Sequence, residues 1–344
     1  MANYPTLNAN EIFSVISNMI ISQTMFVPDL DVDDFVSQFR VDGGLYGDQK
    51  VYYSADVLGS EAWGKDSAAS NLLQIKRPSA PAVQSVALNN FRQISLTVDD
   101  YLSKRAWADE GAFAQFNSIM LGMLSETKKV IDYTMLASFI GLEVTTTGKQ
   151  KVEVDSGATA QTIAQKIADV LVDMKRPSRD YNDNGFVRAY APSKLKFIWN
   201  AKYLNQIKKL DLPTIFNAEM VDTINGDVLP ACYFGTKNTT SKTGDAAGTI
   251  RFLEETVVGG KTYFPGDAVP TGTTVTANKS YTVDDKVICK IIGADSVPLM
   301  SAFEVGTSFF NAKSLTTNYY LTWGFNTLAH LKDKPFVTIV ESAS

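Results

Sequence analysis

Between Asp109 and Gly141 the residues Phe113, Phe116, Met120, Leu124, Thr127, Ile131 and Met135 recur in steps of three or four. That is the period of one face of an α-helix. Gly111 and Gly122 lie inside the run and cost about 1 kcal/mol each against alanine, so packing of the apolar stripe has to carry the helix. At 1.5 Å per residue, about 33 residues make a rod of roughly 50 Å. Few small globular domains need such a rod, and the rest of the fold has to be arranged along it.

Other segments alternate or break in ways that place elements around the rod. Glu11 to Gln23 puts Ile12, Ile16, Met19 and Ile20 at helical spacing, and Pro28 stops that short helix. Lys50 to Asp56 predicts a strand. Leu58 to Ala69, with Gly59 and Gly64, predicts an exposed extended loop. Phe91 to Val98 alternates, with Ile94, Leu96 and Val98 on one face and Gln93, Ser95 and Thr97 on the other, as a half-buried strand does. Together these segments predict a long two-stranded excursion that leaves and rejoins the body.

Downstream, Thr145 to Gly157 is polar and ends in a turn. Thr159 to Lys175 carries Ile163, Ile167, Val170, Leu171 and Met174 on one helical face, and Pro177 ends it. Phe186 to Ala191 predicts a strand. Pro192-Ser193 then predicts a helix start bearing Leu195, Ile198 and Trp199. Thr236 to Asp285 is rich in Thr, Gly and Lys, with short alternating runs near Thr249 to Leu253 and Lys279 to Val283, and predicts a β-rich surface insertion. Lys286 to Ile292, Phe303 to Phe310, Asn318 to Gly324 and Phe336 to Val340 are further strands. This order is α+β and lacks the regular βαβ alternation of a doubly wound sheet.

Composition narrows the function. The chain has 344 residues, 45% hydrophobic and 20% charged, with net charge −5. A protein that grips phosphates carries a basic excess, and none exists here. Cys232 and Cys289 are the only cysteines, too few for a disulfide framework, which suits a reducing compartment. No apolar run approaches about 18 residues, the length of a membrane span, and no basic lead marks a signal peptide.

Chemical motifs are sparse. His330 is the only histidine, so any Ser-His-Asp or Cys-His arrangement must use it, and no Gly-x-Ser-x-Gly accompanies it. One histidine and two distant cysteines do not make a standard zinc site. Asp180, Asn182, Asn184 and Gly185 match the opening of a calcium loop, but Ala191 stands where the bidentate glutamate belongs. Asx residues with glycine also make turns without a metal. Arg92, Lys104 and Arg105 near Trp107 are too few for a nucleic-acid face. Asn238-Thr239-Thr240 and Asn278-Lys279-Ser280 match glycosylation acceptors by chance. No catalytic, cofactor or metal residues are expected, and the chain is not read as an enzyme.

The order of elements resembles the major capsid (coat) proteins of tailed bacteriophages. The resemblance rests on Ile94-Ser95-Leu96-Thr97-Val98-Asp99-Asp100 leading to the long helix, and on Gly185-Phe186-Val187-Arg188-Ala189-Tyr190-Ala191-Pro192-Ser193. Gly226-Asp227-Val228-Leu229-Pro230, which suits the loop before the next axial strand, adds to it, as do the run Asn318 to Phe325 and Lys334 to Val340, which resemble the closing strands. It implies an α+β capsid fold with an N-terminal arm (1–40), an extended loop (41–99) and a peripheral domain with a long spine helix (100–150). An axial domain (151–235), the β-rich insertion (236–285) and return strands (286–344) complete it.

The implied function is a self-assembling head shell of hexamers and pentamers around double-stranded DNA, without sequence-specific DNA contact, built in the bacterial cytoplasm and carried in the virion. No long charged helical segment precedes the arm, so a separate scaffolding protein is implied, with portal and decoration proteins as further partners. The loop tip, Glu61, Trp63 and Lys65, is expected to touch a neighbouring subunit. Two other readings stand beside this one. The same fold serves encapsulin-like bacterial nanocompartments. In a different class, a β-rich adhesin or carbohydrate-binding protein would use residues 236–285, although the long helix speaks against it.

Overall fold

The computed structural model describes residues 32–43, 48–60, 75, 77–99, 110–143, 149–207 and 226–342. The expected helix at Glu11 to Gln23 lies outside them. In chain order come α1 (Asp33–Ser37), β1 (Arg40–Asp42), β2 (Gln49–Ser54), β3 (Ala82–Asp99), α2 (Glu110–Gly141) and β4 (Leu142–Glu143). Next are β5 (Lys151–Val154), α3 (Ala160–Lys175), β6 (Leu195–Asn200), α4 (Ala201–Ile207) and β7 (Asp227–Leu229). Short strands follow: β8 (Gly235–Lys237), β9 (Lys242–Thr243), β10 (Ile250–Phe252), β11 (Thr256–Val258), β12 (Lys261–Tyr263), β13 (Thr274–Val275) and β14 (Ser280–Val283). The chain closes with β15 (Val287–Gly293), β16 (Leu299–Asn311), β17 (Thr316–Asn326) and β18 (Phe336–Glu341).

The long helix is present as one element of 32 residues. Leu124 and Ile131 of its stripe are buried. Toward the end, Leu136, Ala137, Ser138, Ile140 and Gly141 are buried as well, so the last turns are covered on more than one face. That explains why the periodic stripe gives way there to a nearly continuous apolar run.

The chain divides into two units. The first takes the described residues of Met1–Asp48, Leu88–Thr134 and Leu299–Thr327. Its sheet runs β1-β16-β17-β3, with β1 parallel to β16 and the other pairs antiparallel. The β17–β3 register runs from Thr316↔Asp99 to Asn326↔Leu88. On β3 the alternation is as the sequence implies, with Val98 buried, Ile94 and Leu96 partly covered, and Gln93, Ser95 and Thr97 exposed. The exposed face is laced by cross-strand bonds from Gln93 to Thr322 and from Thr97 to Asn318, the usual polar pairing of a wet sheet face. Phe35 of α1 packs edge-on against Phe39 and Tyr133, at 5.4 and 5.7 Å between ring centroids.

The second unit takes the described residues of Gln49–Ala87, Met135–Pro298 and Leu328–Ser344. Its main sheet runs β5-β18-β15-β6-β7. Every residue of the central strand β15 is buried, as expected for a strand covered on both faces. Helix α3, capped by the Thr159 hydroxyl on the Thr162 N–H, lays Ile163, Ile167, Val170, Leu171 and Met174 into a core with Phe197, Trp199, Ile288, Ile291, Val337 and Ile339. A second sheet runs β10-β14-β8-β4. The β2–β3 hairpin also starts here, paired from Gln49↔Ala87 to Ser54↔Ala82.

Four local readings are corrected. Pro192 opens only a 3₁₀ turn, Pro192–Lys194, and Leu195 to Trp199 belong to strand β6 rather than to a helix. Both faces of β6 are buried, so its apolar residues do not alternate, and their spacing imitates a helix. Phe186 to Ala191 is not a strand; it contributes only the bridge between Arg188 and Ser178. Asp227 to Leu229 is a strand rather than a loop, paired parallel to β6. The polar stretch 145–157 holds strand β5, paired parallel to β18 at the sheet edge.

Candidate functional site

His330 lies in the second unit with its Nε2 2.7 Å from the Asp183 carboxylate and its ring stacked on Phe336 at 5.1 Å. Burial acts to raise the Asp183 carboxyl, but hydrogen bonds from His330 and from Gln150, at 2.6 Å, outweigh it and leave the carboxyl below its ordinary value. The pair therefore ties two chain segments together. Asp183 N–H also donates to the Lys332 carbonyl at 2.8 Å.

The calcium-like string is the turn that carries Asp183. Asp180 pairs with Lys149 at 3.2 Å. Asn182 closes the turn on itself, donating to the Phe186 carbonyl and accepting from the Phe186 N–H. Asn184 donates to Ser54, and Gly185 takes φ +64. Each side chain of the string has a protein partner, which is how an Asx turn is stabilised without an ion. Among the described residues no group of three or more His, Cys, Asp or Glu could hold a metal. Cys232 and Cys289 are both free thiols. Asn238 is buried, with its amide on Ser280. Among the described residues no helix is long and apolar enough to cross a membrane.

Two buried charge sites escaped the sequence reading. In the first unit, Lys128 of α2 lies 3.1 Å from Asp132 and 3.4 Å from Glu304, and Arg40 lies 3.7 Å from Asp132. Burial pushes the Asp132 carboxyl up despite the opposing pull of Lys128 and Arg40. In the second unit, Lys290 of β15 is 0% exposed. Its ammonium bonds the Leu142 carbonyl just past the end of α2 and the Thr338 hydroxyl at 2.7 Å, 4.3 Å from the Phe336 ring centre. Desolvation pulls that ammonium down to about 7. Each site had a signal: an i,i+4 pair on a long helix, and a lone lysine inside Val287-Ile288-Cys289-Lys290-Ile291-Ile292.

The surfaces are more distinctive than the polar clusters. On the hairpin of the second unit Tyr53 is 74% and Leu58 73% exposed, with Val57 and Val83 also in solvent. In the first unit, Phe309 at 65%, Phe310 and Leu315 stand exposed around the β16–β17 turn. A groove of about 280 Å³ in that unit is lined by Leu124, Glu304, Tyr319 and Tyr320 among others, and its carboxylate is already paired with Lys128. The expected tip contacts Glu61, Trp63 and Lys65 lie outside the described residues. Residues 236–285 form paired short strands with a small core of Ile250, Phe252, Val269 and Val275, and β10 pairs with β14 as the two alternating runs imply.

Comparison with solved structures bears on the fold. The capsid structure of Staphylococcus phage Andhra matches with TM-score 0.60 at 11% identity, covering 93% of this chain and 87% of that one. A structure of native bacteriophage P68, described as its head fiber and inner core protein gp22, matches with TM-score 0.61 at 10% identity, covering 92% and 87%. The capsid structure of cyanophage P-SCSP1u matches with TM-score 0.52 at 7% identity, covering 96% and 95%. The fold is thus the α+β fold of phage capsid subunits. No curated protein matches the sequence. Residues 1–333 match the family model described as Phi29-like phage major capsid protein, and the chain therefore belongs to that family.

Proposed function

We propose that the protein works by assembly: it is the structural subunit of a phage head shell and carries out no catalytic chemistry. Membership of the capsid family over residues 1–333 carries this reading. The exposed Tyr53, Leu58, Phe309 and Phe310 support it, because large apolar side chains left in solvent mark surfaces that other chains cover. The single histidine is bonded to Asp183, which favours a structural role for it.

In this reading residues 1–40 are the arm, 41–99 the extended loop, and 100–150 the peripheral domain with its spine helix. Residues 151–235 are the axial domain, 236–285 a surface insertion and 286–344 the return strands. Subunits form hexamers and pentamers in the host cytoplasm and enclose double-stranded DNA without reading its sequence. A separate scaffolding protein, a portal and decoration proteins are the further partners. Glu61, Trp63 and Lys65 at the loop tip touch a neighbouring subunit.

Negative-stain microscopy of the full chain, expressed with and without its neighbouring phage genes, tests the reading. Shells, tubes or capsomer rings are expected. A uniform monomer under every condition would overturn it. Trp63→Ala is expected to weaken particle assembly or shell stability, and an unchanged particle would remove the tip contact from the scheme.

A further inference from the structure

The loop-side end of the β2–β3 hairpin is held by a closed ring of bonds within the second unit. Two residues past the outgoing strand, the Asp56 carboxylate accepts from the Val187 N–H at 2.9 Å, the Val57 N–H at 2.9 Å and the Arg179 guanidinium at 2.5 Å. Arg179 donates onward to the Gly185 carbonyl at 2.7 Å. Arg188 donates to the Ala55 carbonyl at 2.8 Å and pairs with Asp333 at 2.9 Å. Asn184 donates to the Ser54 hydroxyl at 3.1 Å. On the returning strand, the Gln84 amide donates to the His330 carbonyl at 2.9 Å and accepts from the Lys332 N–H at 2.8 Å. The Lys332 carbonyl then accepts from the Asp183 and Asn184 N–H groups at 2.8 and 3.3 Å, which brings the ring back to the turn that holds Ser54 and Asp56.

The ring therefore grips the chain where the pairing of β2 with β3 gives out, at Ser54 and Ala82. A two-stranded ribbon is at best marginally stable by itself, and its open end frays wherever nothing holds it. We infer that the ring is a lock that pins the loop-side end of the hairpin to the second unit, and that Asp56 is its keystone. Asp56 joins three donors from three positions, and its side chain is only 12% exposed. Charge-assisted bonds of this kind are short and directional. The Asp56–Arg179 ion pair is partly exposed and adds little to global stability, so opening the lock changes the order of the hairpin rather than the survival of the fold.

That the locked hairpin then serves contacts between subunits rests on the proposed function. The experiment keeps the two ideas apart. Amide hydrogen exchange is followed on the full chain for the unaltered protein, Asp56→Ala, Arg179→Ala and Gln84→Ala. Exchange at least about tenfold faster is expected over residues 49–58 and 82–87, with β15 and β18 unchanged. Hairpin exchange equal to that of the unaltered protein in all three variants overturns the lock. Equal acceleration in β15 overturns it too, because the residues would then be supporting the whole unit. Asp56→Asn keeps an acceptor for the Val187 N–H and should fall between the alanine variant and the unaltered protein; full alanine-like exchange would overturn the keystone role. The same variants are scored for shell yield and shell melting. A released hairpin with undiminished shells leaves the lock standing and removes the hairpin from the subunit contacts.

Discussion

Replacing Lys290 by methionine removes a charge that burial makes costly. An unfolded lysine titrates near about 10.4, whereas Lys290 in the folded chain titrates at about 7 because desolvation penalises its ammonium. Between those values the unfolded chain binds more protons than the folded one, so stability rises with pH across that window. The penalty is complete below the folded value and gone above the unfolded one. Between about pH 6 and about pH 9 this single group adds about 2–3 kcal/mol of stability. Lys290→Met retains none of that gain. It also strips a donor from the Leu142 carbonyl and the Thr338 hydroxyl, a cost of about 1–3 kcal/mol that does not depend on pH. The assay is urea unfolding of the unassembled full chain, read by fluorescence of the buried Trp199, whose strand pairs with Lys290's own. The stability difference, variant minus unaltered protein, should fall by about 2–3 kcal/mol from about pH 6 to about pH 9. Parallel curves for the two proteins would refute the reasoning.

Lys128→Met leaves the buried Asp132 carboxylate without its nearest partner and should cost about 3 kcal/mol in urea unfolding, most of it recovered when Asp132→Leu is added. Gly141→Ala should lose about 2 kcal/mol by overpacking, since its Cβ would lie 2.1 Å from the Tyr233 carbonyl oxygen; a gain in melting temperature, as helix propensity alone implies, would contradict the placement. Asp173 is held at about 2, chiefly by Lys149 and Tyr181, so its contribution is full above about pH 4 and lost as pH falls toward about 2. Asp173→Asn should flatten the acid limb of the stability curve in that window. Ile167→Ala, at a fully buried position of α3, should cost about 3 kcal/mol, read as a lower urea midpoint.

The elements legible in the sequence were of two kinds: those with one wet face, and the β-branched runs of β15 and β18, short enough to read as strands although both faces are buried. The long helix α2, α3, β3 and the paired runs of residues 236–285 each show solvent and core alternately along the chain, so their period is written in residue type. Strand β6 was not legible, because Leu195, Phe197, Ile198 and Trp199 are covered on both sides, a strand without a wet face has no period of two, and the Pro192-Ser193 lead has the form of a helix start. Nor was β5, an edge strand short enough to pass for a polar loop. The turn at 180–185 was visible as a turn, but its partners were not: Ser54, Lys332 and His330 come from distant parts of the chain. Sequence by itself determined the class of fold, the long rod and the lack of a metal or nucleophile pattern, since those depend on local spacing and on which residue types are present. Tertiary structure alone decided that a lysine lies in the middle of a buried sheet, that a lone histidine serves as a tie, and that an aspartate at the loop-side end of a hairpin gathers three donors. Each of these depends on which backbone groups long-range folding brings within hydrogen-bond reach, and no spacing along the chain encodes that distance.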